Sequence, residues 1–108
     1  MAIDLAVKTY EMTEKFPLEE KDGLVQQIRR SSVSISSNIA EGSGRSSIKE
    51  FKYFLGVAYG SACELDTQWE ISHKAGLICN NDYEELINFV SELQKMLYKS
   101  FKSCKDGK

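Results

Sequence analysis

The chain has 108 residues, 28% charged and 42% hydrophobic, with a single proline; this is the scale of one compact domain, residues 1–108, that can bury a core without disulfides or a structural metal. Fourteen basic against sixteen acidic side chains leave a net charge of −2, which excludes the global positive field of a dedicated nucleic-acid binder and makes any such contact local. Cys63, Cys79 and Cys104 fit neither a disulfide framework nor a Cys-x-x-Cys knuckle and read as reduced thiols of a cytoplasmic protein; Asp4 interrupts the apolar stretch of a signal peptide, and no apolar run reaches a membrane-spanning length.

A first helix is expected over residues 2–15, with Ile3, Ala6 or Val7, Tyr10 and Thr13 as its inward stripe. It ends before Phe16-Pro17, because the residue preceding a proline is pushed out of the helical region. A second helix, 19–41, follows from Val25, Ile28, Ser32, Ile35 and Ile39, spaced by three and four, and is closed by Gly42 and Gly44. Polar and apolar residues also alternate from Ser32 to Ile39, as in a strand, yet the alternation fails on both sides while the heptad carries through. Eight of the 17 residues from Ser31 to Ser47 are serine, a composition that favours a helix only if tertiary packing compensates. Such small side chains allow close helix approach, with hydroxyls bonding to carbonyls one turn back.

The third helix, 47–75, carries the strongest pattern: Ile48, Phe51, Leu55, Ala58, Ala62, Leu65 and Trp69 form an a/d seam. Ser47 with Glu50 gives a capping-box start, and Gly76 follows His73 and Lys74 at the far end. The fourth helix, 81–103, presents Tyr83, Leu86, Val90, Leu93, Leu97, Phe101 and Cys104, with Asn80 or Asn81 as cap and Asp82, Glu84 and Glu85 complementing the dipole in its first turn. Short connections force neighbouring helices antiparallel. The expected fold is therefore all-α, an antiparallel up-down-up-down four-helix bundle.

The segment Asn38-Ile39-Ala40-Glu41-Gly42, with Gly44-Arg45 after it and the Phe16-Pro17 turn before it, resembles the four-helix-bundle family encoded within 23S ribosomal RNA intervening sequences. It is more distantly similar to the accessory proteins of diversity-generating retroelements. The resemblance implies a bundle that assembles into a ring, often a pentamer, without established catalytic activity. It also implies, through the retroelement branch, a role beside nucleic acid and a reverse transcriptase.

Two surfaces are candidates for function. Gly56 and Gly60 lie one turn apart off the seam, continued by Cys63 and flanked by Tyr53, Phe54 and Tyr59. Interior helix glycines cost about 1 kcal/mol each relative to alanine, and close approach of another subunit would offset that; packing of the rings inside the monomer is the alternative. The second candidate is electrostatic. Residues 29–52 carry five basic and two acidic side chains, 95–108 five and one, whereas 1–28 carry three and six and 64–92 one and seven. In an antiparallel bundle Arg45, Lys49, Lys52, Lys99, Lys102 and Lys105 then gather at one end, and Glu14, Glu19, Glu20, Glu70, Asp82, Glu84 and Glu85 at the other. A basic rim would suit RNA, single-stranded DNA or an acidic protein, although helix-dipole complementarity alone also places acids and lysines this way. Arg29 and Arg30 in the second helix are read as ion-pair partners of Glu64 or as RNA contacts. Gly42-Ser43-Gly44-Arg45 is read as a cap and turn in preference to an anion cradle, since it lacks the Lys-Ser/Thr ending of a phosphate loop.

Catalysis is not expected. His73 is the only histidine, which leaves no histidine metal cluster and not the two Glu-x-x-His motifs that a di-iron bundle uses, and there is no nucleophile-elbow pattern. Trp69 reads as a core or interface anchor. The functional expectation is a non-catalytic homo-oligomer without cofactor or metal, acting as an assembly or adaptor module, with itself as partner and no membrane; the alternative is a nucleic-acid-binding accessory protein that uses the basic rim.

Overall fold

A computed structural model describes residues 1–104. Four helices, α1 (Ala2–Thr13), α2 (Leu24–Ser43), α3 (Ile48–Lys74) and α4 (Asn80–Ser103), are joined by connections of which the first contains a short 3-10 turn, Leu18–Glu20. Among the described residues there is no strand, and the Ser32–Ile39 segment is helical throughout.

The pairing between helices fixes their directions. Between α2 and α3, Ser34 meets Ser61 at 2.8 Å and Gly42 lies against Phe54, so residue numbers fall on one helix as they rise on the other. Between α3 and α4 the same holds for Gly56 with Phe101, Tyr59 with Tyr98, Cys63 with Gln94 and His73 with Tyr83. Lys8 with Glu85 and Lys15 with Asp82 repeat it between α1 and α4. These neighbours are antiparallel. The long axis of the molecule extends 49 Å against 23 and 18 Å across.

Local signals account for most helix ends. Ser47 Oγ accepts from the Glu50 N–H at 3.1 Å and starts α3. α3 stops at Gly76, whose φ of +78° is the left-handed conformation that glycine adopts without strain. There the Leu77 N–H donates to Ser72 O and the Gly76 N–H to His73 O, closing the last turn. α2 differs from the sequence expectation at both ends. It begins at Leu24, after the 3-10 turn, and runs through Gly42 to Ser43 with Gly44 as a right-handed cap. α4 begins one residue early, with Cys79 in place of Asn80 or Asn81 at the cap position and no side-chain cap bond; the Asn80 side chain instead bonds to His73 Nε2.

The core follows the heptad seams of α2, α3 and α4. Ile28, Ile35, Leu65, Trp69, Leu86 and Val90 are fully buried, and each large apolar side chain so placed contributes about 1.5–3 kcal/mol relative to exposure. The Trp69 and Phe16 rings meet in a T-shaped contact, centroids 6.2 Å apart, so Trp69 is a core residue and the Phe-Pro turn plugs that end of the bundle. Ile48, expected in the seam, is 42% exposed at the first position of α3.

α1 is rotated from the expected orientation. Leu5, Thr9 and Thr13 face inward, while Ile3, Val7 and Tyr10 face out. Thr9 and Thr13 donate to the carbonyls of Leu5 and Thr9 at 2.7 and 2.8 Å, so the buried hydroxyls are satisfied by their own helix and the residues pack as small branched side chains. The expected back-bonding of the α2 serines is also present, in Ser32 to Arg29 O and Ser36 to Val33 O.

Candidate functional site

Of the α3 residues proposed from sequence, Tyr53, Gly56, Tyr59, Gly60 and Cys63 fall on a strip of α3 beside α4, whereas Phe54 does not. Tyr53 projects into solvent with its ring at an edge-on 5.1 Å from Phe54. Phe54 is half-buried and turned toward α2, where its Cβ stands 2.9 Å from the position a Cβ on Gly42 would take. Gly56 serves an internal contact: the Phe101 ring of α4 lies 3.4 Å from the place of its absent Cβ. Tyr59 is half-buried against Tyr98, ring centroids 6.0 Å apart. Gly60 alone is bare, exposed and with nothing within 4 Å of its virtual Cβ. Cys63 is exposed beside Gln94. Lys49, Lys52, Tyr53, Gly56, Val57 and Phe101 line a shallow groove of about 450 Å³ at the basic end of this strip.

The cationic residues proposed from sequence divide into two groups. Arg45 pairs with Glu41 and lies 5.0 Å over the Phe54 ring, Lys49 is exposed, and the Lys52 ammonium stands 4.9 Å over Phe101. Lys99 and Lys102 share that end through the α3–α4 pairing; Lys105 lies outside the described residues. Arg29 and Arg30 are roughly 20 Å from Arg45 along α2, at 1.5 Å per residue, so no single surface joins all five.

Arg29 does not pair with Glu64, as the sequence allowed; it reaches α1 instead. Its Nε donates to Thr13 Oγ1 at 2.9 Å, Nη2 donates to Tyr10 O at 3.3 Å and stands 3.6 Å from Glu14, and the guanidinium lies 4.4 Å over the Tyr10 ring. It thus caps the carbonyl end of α1 and fastens that helix to α2. Glu64 is exposed, as is Arg30.

Burial and one short hydrogen bond displace the ionisation of three side chains, with neighbouring acids adding to each. Burial, then the Glu70 charge, holds the Asp66 carboxyl above the usual aspartate value. Burial, with Glu70 and Asp66 behind it, raises the Tyr83 phenol. The 2.6 Å bond to Glu85 raises Lys8, a stabilisation present below the ordinary lysine value and lost as pH climbs through the folded one. For Asp66 the sign is opposite: its ionised form is disfavoured by folding, so the penalty is full at neutral pH and vanishes once both states are protonated. Asp66→Asn should therefore raise the urea midpoint near pH 7 and leave it unchanged near pH 3.

Sequence reasoning missed two features. The exposed stripe Ile3, Val7, Tyr10 is one; its apolar period is visible in the sequence but reads as core. The other is an apolar groove of about 440 Å³ between α2 and α4, open because α1 has only 12 residues and leaves Ile39, Phe51 and Met96 uncovered beyond its start. Among the described residues, no group of three or more His, Cys, Asp or Glu side chains could hold a metal ion, and no helix is long and apolar enough to cross a membrane.

With that geometry in place, the family model described as 23S rRNA-intervening sequence protein matches residues 1–99. The chain belongs to that family. A solved structure similar to it is a protein of unknown function from the S23 ribosomal protein family of Bacteroides thetaiotaomicron, 27% identical, covering 94% of this chain and 95% of that one with a TM-score of 0.87. The comparison with curated proteins gave no match. The likeness to the Bacteroides protein thus extends over nearly the whole chain.

Proposed function

We propose that the chain is a non-catalytic homo-oligomer, a ring-forming assembly or adaptor protein whose subunits meet through the α3 strip. The pentameric number comes from the family resemblance. The observation that carries the reading is Gly60: it sits inside a 27-residue helix, is exposed, and has no neighbour within its own chain that an added Cβ would touch. Such a residue costs helix stability by about 1 kcal/mol without an intrachain reason, and contact with a second copy supplies one. Tyr53, two turns earlier on the same helix, and Tyr98, packed against Tyr59, are exposed amphipathic rings of the kind favoured at interfaces. Gly60→Leu should reduce the mass in sedimentation velocity to that of a single chain while helical circular dichroism is retained. An unchanged mass would say that the strip faces solvent.

The polarity of the two ends favours a second reading, an anionic partner on the basic rim. Binding of structured RNA or single-stranded DNA in a gel shift near about 50 mM salt, weakening steeply with added salt and lost when Arg45, Lys49 and Lys52 are neutralised, would support it. No shift at that salt concentration would dismiss it.

A further inference from the structure

We propose that the groove between α2 and α4 is a binding site for one free medium-chain carboxylate, its alkyl chain lying in the apolar trough and its anionic head at the Ser100 and Lys99 end. The site lies apart from the α3 strip, so the failure of either reading leaves the other standing.

The trough is bounded on several sides. Residues 36–43 of α2 and 93–100 of α4 run in the same direction along it, since each helix is antiparallel to α3, and Phe51 and Leu55 of α3 form its floor. Met1, Ala2 and Ile3 close one end. Its volume is about 440 Å³, within the range of about 300–1,000 Å³ for ligand pockets, which are apolar with a few polar groups. At 1.5 Å per residue each wall segment is roughly 10 Å long. A docked helix would meet it with only about two turns, far short of the roughly 800 Å² per partner that a stable protein contact buries. An alkyl chain of about eight to ten carbons suits that length, and its methylenes leave water for Ile39, Leu93, Met96 and Leu97. Met96, 54% exposed, is the most open of the large side chains that such a chain would cover.

Polar groups and charge decide which end holds the head. The hydroxyls of Ser36 and Ser43 already donate to Val33 O and Ile39 O, at 3.1 and 3.0 Å, so among the lining hydroxyls Ser100, exposed on the α4 wall, is the one left to donate to a ligand. A carboxylate accepts from it. Lys99 precedes Ser100 and is exposed, while the acid at that end, Glu41, is paired with Arg45. At the opposite end of the α4 wall stands Glu92, exposed, one residue before Leu93. An anionic head is therefore drawn to the Ser100 end and repelled from the Leu93 end, and a cationic head has no complementary place at Ser100.

The test is calorimetric titration of the full chain with hexanoate, octanoate and decanoate, each below its aggregation concentration. One molecule should bind per subunit, with Kd falling about fourfold for each added methylene and levelling off at about ten carbons, where the trough is full. Of the methionine methyl resonances, that of Met96 should shift in the complex and that of Met12, outside the trough, should not. Ala40→Phe, at an exposed position of the α2 wall, should abolish binding with helical circular dichroism unchanged; if it loses helicity, the Met96 shift in the wild type decides. Lys99→Gln should weaken octanoate severalfold and leave octanol unaffected. No heat and no Met96 shift overturns the site, as does an affinity that keeps climbing with chain length or survives a folded Ala40→Phe. Equal binding of octanol and octanoate overturns the anionic head. An assembly whose mass changes in Ala40→Phe assigns the trough to a second copy, and co-sedimentation with phosphatidylglycerol vesicles in place of octanoate binding assigns it to bilayer lipid; either overturns the free ligand.

Discussion

Trp69→Ala is expected to cost about 3–5 kcal/mol, the range for emptying a large aromatic site in a packed core, and to leave the chain largely unfolded in mild urea. Trp69 is fully buried at the end of the α3 seam, and its ring closes the bundle against Phe16, so its loss empties the space behind the Phe-Pro turn as well as its own. The indole also explains why phenylalanine should be tolerated. Trp69 Nε1 is buried without a hydrogen-bond partner, so the wild type already carries the cost of an unsatisfied donor, on the order of 1–3 kcal/mol. Trp69→Phe removes that donor and keeps most of the edge-on contact. Urea midpoints should then place Trp69→Phe much nearer to wild type than to Trp69→Ala. Equal losses for the two would say that the ring's full volume decides the site.

The second large effect is the opposite response of two glycines to one methyl group. A Cβ on Gly42 would stand 2.9 Å from Phe54 Cβ and 3.3 Å from Phe51 Cδ1, both on α3, so α2 and α3 would have to separate. Overpacking of this kind costs about 1–3 kcal/mol, which outweighs the roughly 1 kcal/mol that alanine gains in helix propensity. A Cβ on Gly60 meets nothing, so in the isolated chain the propensity gain stands alone. Gly42→Ala should lower the thermal midpoint and Gly60→Ala should raise that of the dissociated subunit. A rise for both would mean that α2 can shift away from Phe54 freely.

The same pair shows what could be read from the residues and what could not. The seams of α2, α3 and α4 are visible because their apolar side chains recur without competition, and the Ser47 cap and Gly76 stop are local chemistry complete within a few residues. Gly42 reads as a helix terminator because glycine commonly is one; its role as a point of contact depends on Phe54, twelve residues away on another helix. α1 failed for a related reason. Hydropathy ranks Ile3, Val7 and Tyr10 above Thr9 and Thr13, but does not register that a threonine bonded to its own preceding turn can be buried at little cost. Arg29 lay within reach of several acids in sequence, and only the position of α1 decides that Thr13, Tyr10 and Glu14 receive it. The α3 strip was legible as a set of residue types, yet its division into an internal contact at Gly56 and an open one at Gly60 is set by where Phe101 falls.

The central claim, that this bundle exists as an assembly of its own copies, is tested most directly by native mass spectrometry of the unmodified chain at micromolar concentration. A single dominant species at an integer multiple of 12.2 kDa greater than two is the predicted result. A 12.2 kDa particle throughout that concentration range would contradict it.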